Sequence, residues 1–106
     1  MRKRFYKEII VTENKDVEVA KQTIDREIEA LKAMENELDG DLTTVVDVLQ
    51  KTKGRVIVTG MGKSGHIGRK IAATFASTGT PAFFLHPGEA SHGDLGMITK
   101  DDTVIA

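Results

Sequence analysis

The sequence predicts an α/β protein, with a parallel sheet flanked by helices and two further helices ahead of it. Up to Gly54 the apolar residues recur at steps of three and four, the period of a helix. Beyond Gly54 the apolar runs become short and β-branched, as in buried parallel strands. A cluster of glycines stands where the first such run gives way to a helical stripe.

Taken in order, Val17, Ala20, Ile24, Ile28, Leu31, Met34 and Leu38 mark one face of a long helix. Gly40 stands where a left-handed C-terminal cap belongs. Asp41 can cap a second helix with the face Leu42, Val45, Val46 and Leu49, which Gly54 closes. Both faces read as core or subunit contact. Residues 1–54 therefore form an N-terminal helical segment, and residues 55–106 a separate sheet-forming part. Arg55-Val56-Ile57-Val58-Thr59 is the first strand. Ile67, Ile71, Ala72 and Phe75 form the stripe of the next helix, which stops at Ser77-Thr78-Gly79. Thr80-Pro81 turns the chain into Ala82-Phe83-Phe84-Leu85. A polar loop from His86 then leads to Thr103-Val104-Ile105-Ala106, the beginning of a third strand. A right-handed βαβ unit is the natural arrangement of these elements.

Composition narrows the function classes. The formal net charge of −1 supplies no global field for nucleic acid or an anionic membrane. Arg2, Lys3, Arg4 and Lys7 cluster at the start, but no apolar run follows to make a signal peptide, so they read as a solvated terminus. No apolar run approaches membrane-spanning length. With no cysteine there is neither a disulfide framework nor a thiolate zinc site, which fits the cytoplasm.

The glycine turn runs Gly60-Met61-Gly62-Lys63-Ser64-Gly65. A P-loop would need its first glycine at position 57, and Ile57 stands there. A dinucleotide fold would need a carboxylate at the end of the second strand, where His86-Pro87 stand instead. The nearest carboxylate, Glu89, lies in the loop. A small phosphorylated metabolite fits better. Gly62 and Gly65 allow close approach of the backbone, the helix beginning near Ser64 offers free N–H groups, and Lys63 adds a cation. The alternative is a tight strand-to-helix turn whose glycines serve packing, with Ser64 as N-cap and Lys63 in solvent. The turn alone does not choose between these two.

The stretch GMGKSGHIGRKIAATFASTGTPAFFLHPGEASHGDLGMI, Gly60 to Ile98, closely resembles the sugar isomerase (SIS) domain of the D-arabinose-5-phosphate isomerases. That resemblance implies a SIS-type, flavodoxin- or Rossmann-like parallel sheet. It implies interconversion of D-ribulose 5-phosphate and D-arabinose 5-phosphate, which feeds synthesis of the lipopolysaccharide sugar Kdo or of capsule. It assigns a catalytic role to Lys63 and a substrate contact to Gly79-Thr80. It places His86 at the substrate site, where it can take a zinc ion, and His92 at the same site. Gly62 and Ser64 join them as phosphate-turn contacts. The family continues into a serine-rich S-N-S-G-E loop, then two glutamates and a histidine, and commonly CBS domains. Those lie outside these 106 residues, so the resemblance implies the front half of such a domain, inactive alone unless completed.

An aldose–ketose isomerase needs a general base, a cation or donor at the developing oxyanion, and a phosphate anchor. Lys63 suits the second role, and His92 or Glu89 can move protons. No cofactor is required, although His86, Glu89, His92 and Asp94 together have the chemistry to hold zinc. More plainly, His86 reads as capping a strand and Asp94 as capping a turn, with His66 exposed or packed. A non-catalytic phosphosugar-binding or oligomerisation module is the alternative function. The expected partners are a phosphosugar and further copies of the chain, with no nucleic acid and no membrane.

Overall fold

The computed structural model describes residues 2–106, with side chains from Lys15 onward. Two compact units divide at Asp39 and Gly40. The first consists of helix α1 (Arg2–Glu37), which begins well before the periodic stripe does. Val17, Ile24, Ile28, Leu31 and Met34 lie exposed along it. The basic side chains of Arg2, Lys3, Arg4 and Lys7 fall outside the described ones.

The second unit runs α2 (Gly40–Lys51), β1 (Val56–Thr59), α3 (Lys63–Ser77), β2 (Ala82–Leu85), α4 (Pro87–Ser91), a 3₁₀ turn Asp94–Met97, and β3 (Thr103–Ile105). The expected boundary at 54 moves, because α2 belongs with the sheet. Leu49 packs on the core, and Thr52 Oγ1 lies 2.6 Å from Thr103 Oγ1 of β3. Gly40 opens α2 instead of capping α1 with a positive φ, which among the described residues is found at Gly62, Gly79 and Gly93. Asp41 accordingly sits inside the first turn of α2 and not ahead of it.

The three strands are parallel, in the order β2-β1-β3. Central β1 is apolar because both its faces are covered: Val56 and Ile57 are fully buried and Val58 nearly so. Ala72 of α3 packs on Val56 and Val58, with Phe75, Phe84 and Ile105 around them. The helix comes close because it presents Gly68 there. A Cβ at that position would stand 3.2 Å from Phe84 Cε2 and from Val58 Cγ1.

Gly54, expected to close α2, has a different task. Its N–H donates to the Asp101 carbonyl at 2.7 Å. A Cβ there would collide with Asp102 Oδ1 and lie 2.8 Å from that carbonyl oxygen. Asp102 is the clamp at this edge. Its carboxylate, 1% exposed, accepts the N–H groups of Arg55 at 2.7 Å and Thr99 at 2.8 Å, and Arg55 Nη2 at 3.3 Å. Arg55 also donates to the Met97 carbonyl at 2.7 Å and lies over the Phe83 ring. The start of β1 is thereby fixed to the turn that delivers β3.

Candidate functional site

Parallel strands end together, and in open α/β sheets ligands bind outside their C-terminal ends. At that edge the chain leaves β1 through Gly60-Met61-Gly62 and leaves β2 through His86. An open cavity of about 300 Å³ lies there, lined by Gly60, Gly62, Gly65, His66, Arg69, Phe84 and His86.

The glycine turn is shaped by sterics. Gly62 caps α3 with φ 61° and ψ −127°, a conformation reserved for glycine, and no side chain caps the helix. Ser64 is therefore not the N-cap. Gly60 and Gly65 are required by packing, since a Cβ on Gly65 would stand 2.7 Å from the Gly60 carbonyl oxygen. A Cβ on Gly62 would meet nothing within 4 Å, so of the three glycines it alone faces open space. Lys63 and Ser64, both exposed, are the first two residues of α3. The first-turn N–H groups of a helix have no partner within it and carry its positive dipole end. The turn thus brings free N–H donors of the first turn of α3 beside the cavity, while the Lys63 and Ser64 side chains, expected at the site, are not among the residues that line it.

Two cavity residues are not singled out as functional by the sequence pattern. Arg69 lies with its guanidinium 4.2 Å from the centroid of the Phe84 ring. His66, expected to be exposed or packed, lines the same cavity while remaining exposed. The signal was available: positions 62, 65, 66 and 69 follow one another at helical spacing and share a face. Among the described residues no carboxylate lines the cavity. Its chemistry is that of donors and cations, which suits an anionic, oxygen-rich ligand.

His86 is the N-cap of α4, and its Nδ1 accepts the Gly88 N–H at 3.0 Å. It caps a helix rather than a strand, with Pro87 at the first helical position. Its ring meets Phe84 edge-on at 6.5 Å. That hydrogen bond engages the Nδ1 lone pair and leaves Nε2 as the free nitrogen of the ring. Among the described residues no three His, Cys, Asp or Glu side chains group to hold a metal.

The other expected site residues lie apart. The polar loop contains α4 and the 3₁₀ turn; His92 is the C-cap of α4, Glu89 sits in its first turn, and none of Glu89, His92 or Asp94 lines the cavity. Gly93, and not Asp94, caps the 3₁₀ turn. Gly79-Thr80 stands at the opposite edge of the sheet, ahead of β2. There the pair completes the C-terminus of α3: the Thr80 N–H donates to the Phe75 carbonyl at 2.8 Å and the Gly79 N–H to Ala76 at 3.3 Å. With Gly79 at φ 101° this is a Schellman cap.

This architecture can be set beside known proteins. A family model described as the SIS domain matches residues 48–106, from the end of α2 through β3. The chain belongs to the SIS domain family. Arabinose 5-phosphate isomerase KdsD of Francisella tularensis is 58% identical over 90 residues, covering 82% of this chain and 28% of that protein. The protein of the same name from Pseudomonas aeruginosa is 58% identical over 87 residues, covering 82% and 27%. Among solved structures, E. coli CFT073 c3406 in complex with arabinose 5-phosphate superposes with a TM-score of 0.78 at 46% identity. The match covers 83% of this chain and 47% of that one. The SIS domain here thus spans little more than a quarter of the length of the curated relatives it matches. Its parallel sheet and flanking helices are those expected of the family.

Proposed function

We propose that this chain binds a pentose 5-phosphate and forms part of an arabinose 5-phosphate isomerase, interconverting D-ribulose 5-phosphate and D-arabinose 5-phosphate. The observation that carries this reading is the carboxylate-free cavity at the strand ends, where Arg69, His86 and the Gly62 turn converge. Such a cavity suits a phosphate or a developing oxyanion. The identity to proteins named for this activity supports the particular sugar.

In the direction from aldose to ketose, a base removes the proton on C2 of the open-chain sugar, giving an enediolate. Returning a proton to C1 and moving the hydroxyl proton completes the ketose. Atoms balance within the sugar, so the reaction needs no external oxidant or reductant. Lys63, at the start of α3, stabilises the enediolate oxygen. Glu89 and His92, carried on the α4 segment, are the candidates to move the proton. Gly62, Ser64 and His86 hold the ligand. Further copies of the chain, a cytoplasmic setting and a role in supplying Kdo or capsule sugars belong to the same reading. Among the described residues no helix is long and apolar enough to cross a membrane.

The test is conversion of ribulose 5-phosphate by the chain extended through the family's later segments, with Lys63 and with Lys63→Ala. Loss of turnover with an unchanged circular dichroism spectrum is expected. Wild-type turnover in the variant would remove Lys63 from the mechanism. A second reading, a phosphosugar-binding module without catalysis, is favoured by the position of Glu89 and His92 outside the cavity lining. Ligand binding without turnover by the intact protein would select it.

A further inference from the structure

We propose that Gly88 locks His86 into its Nε2–H tautomer, so that the residue meets ligands as a hydrogen-bond donor and does not serve as a zinc ligand. The Gly88 N–H points its proton at Nδ1 over 3.0 Å. A neutral imidazole has one protonated and one lone-pair nitrogen, and the hydrogen bond at one fixes the state of the other. Here Nδ1 must carry the lone pair, so the proton sits on Nε2. Rotating the ring by half a turn would set a C–H against the Gly88 N–H and forfeit the cap, so the arrangement has one sense only.

The consequence for metals follows from the same nitrogen. A histidine that binds zinc through Nε2 carries its proton on Nδ1 and donates it to a carboxylate or carbonyl. At His86 that proton would confront another N–H. Binding through Nδ1 would instead require the metal to displace Gly88. Either mode costs the N-cap of α4, worth about 1 kcal/mol for good capping side chains. Glycine at 88 is part of the device: a Cβ there would stand 3.0 Å from His86 Nδ1 and 3.2 Å from Cε1, so a larger residue pushes the ring off its acceptor position. The ring also has its edge contact with Phe84, whose face holds Arg69. Arg69 and the donor nitrogen of His86 are thereby assigned to one cavity, both offering N–H and neither accepting.

The experiment is nitrogen-15 NMR of the histidine-labelled protein, which reads each ring nitrogen directly, followed by titration with zinc alone. His86 is expected in the Nε2–H form, with its ring nitrogens and the Gly88 amide unmoved by equimolar zinc. A predominant Nδ1–H form would overturn the proposal. So would zinc moving the His86 ring while the Gly88 amide keeps its hydrogen bond. Gly88→Ala provides the second arm: mixed tautomers and roughly fivefold tighter zinc binding are expected, and an unchanged tautomer with unchanged zinc affinity refutes the lock. Neither arm uses a sugar, so the outcome stands apart from the isomerase assay.

Discussion

Replacing Gly65 with alanine tests whether the glycine turn is a packing device before it is a ligand cradle. The added Cβ would lie 2.7 Å from the Gly60 carbonyl oxygen, 3.3 Å from the Gly60 carbonyl carbon and 3.4 Å from Phe84 Cζ. The first two are backbone atoms at the exit of β1, where no rotamer change can make room. Forcing a methylene into a well-packed site costs roughly 1–3 kcal/mol. Alanine returns up to about 1 kcal/mol of helix propensity, since Gly65 lies within α3. From the middle of that packing range the net loss is about 1–2 kcal/mol, which lowers the melting temperature by roughly 5–15 °C in a domain of this size. Gly40→Ala is the control: nothing lies within 4 Å of its Cβ, its φ is not positive, and a gain of up to about 1 kcal/mol is expected. Calorimetric melts of the three proteins at equal concentration decide the matter. A Gly65→Ala protein as stable as wild type would show that the helix is free to withdraw from β1, and the packing explanation of the third glycine would fall.

Three other outcomes are expected. The Asp102 carboxyl is held down from 3.8 to about 2, chiefly by the N–H of Arg55 and then by that of Thr99. A depressed carboxylate stabilises the fold above its unfolded pKa and loses that contribution as pH falls through the folded one. Acid unfolding should therefore steepen between about pH 4 and 2, and Asp102→Asn should flatten that limb while lowering the melting temperature at pH 7. Arg69→Gln should weaken arabinose 5-phosphate binding roughly tenfold, the worth of one charge-assisted hydrogen bond. Its cation–π contact contributes only about 0.5–1 kcal/mol at an exposed site, so titration calorimetry should register the change far more than a melt does. Finally, mixing His86→Asn with Thr80→Val, each impaired alone, should restore turnover as mixed oligomers form. Absence of recovery on mixing would argue that Thr80 and His86 do not serve one site in different copies.

The strands and α3 are legible in the sequence because their signals are local and redundant. Val56 to Thr59 is β-branched, apolar and bounded by Gly54 and Gly60, and no helix-period pattern competes. The Gly40-Asp41 junction is harder. A glycine between two helices can end the first in the left-handed region or open the second, and only the backbone angle, which depends on the whole turn, decides. The stretch after His86 reads as a loop because α4 and the 3₁₀ turn are too short to show a period. The clue that remains is chemical, a capping side chain followed by proline at the first helical position. Arg69 escapes notice because a lysine or arginine on a helix normally belongs to solvent. Its partnership with Phe84 depends on β2 lying beside β1, a non-local fact that helical spacing from Gly62 hints at without proving.

Gly79-Thr80 sharpens the contrast between motif and geometry. The pair falls where the resemblance implies a substrate contact, yet its hydrogen bonds are fully explained by ending α3. Because β1 and β2 run parallel with Val56 beside Ala82 and Thr59 beside Leu85, Thr80 and His86 leave opposite edges of the sheet. Six residues of largely extended chain put roughly 20 Å between them, well beyond the reach of a pentose phosphate. A helix cap and a substrate contact are compatible only if the exposed side of that cap faces another copy's cavity. The same reasoning makes the cap useful to catalysis: a Schellman turn has its backbone fixed by two hydrogen bonds, and a rigid turn loses little entropy when it closes over a ligand from the far side. The two ends of α3 would then work in two different sites, its glycine-capped start in one and its glycine-capped end in the next.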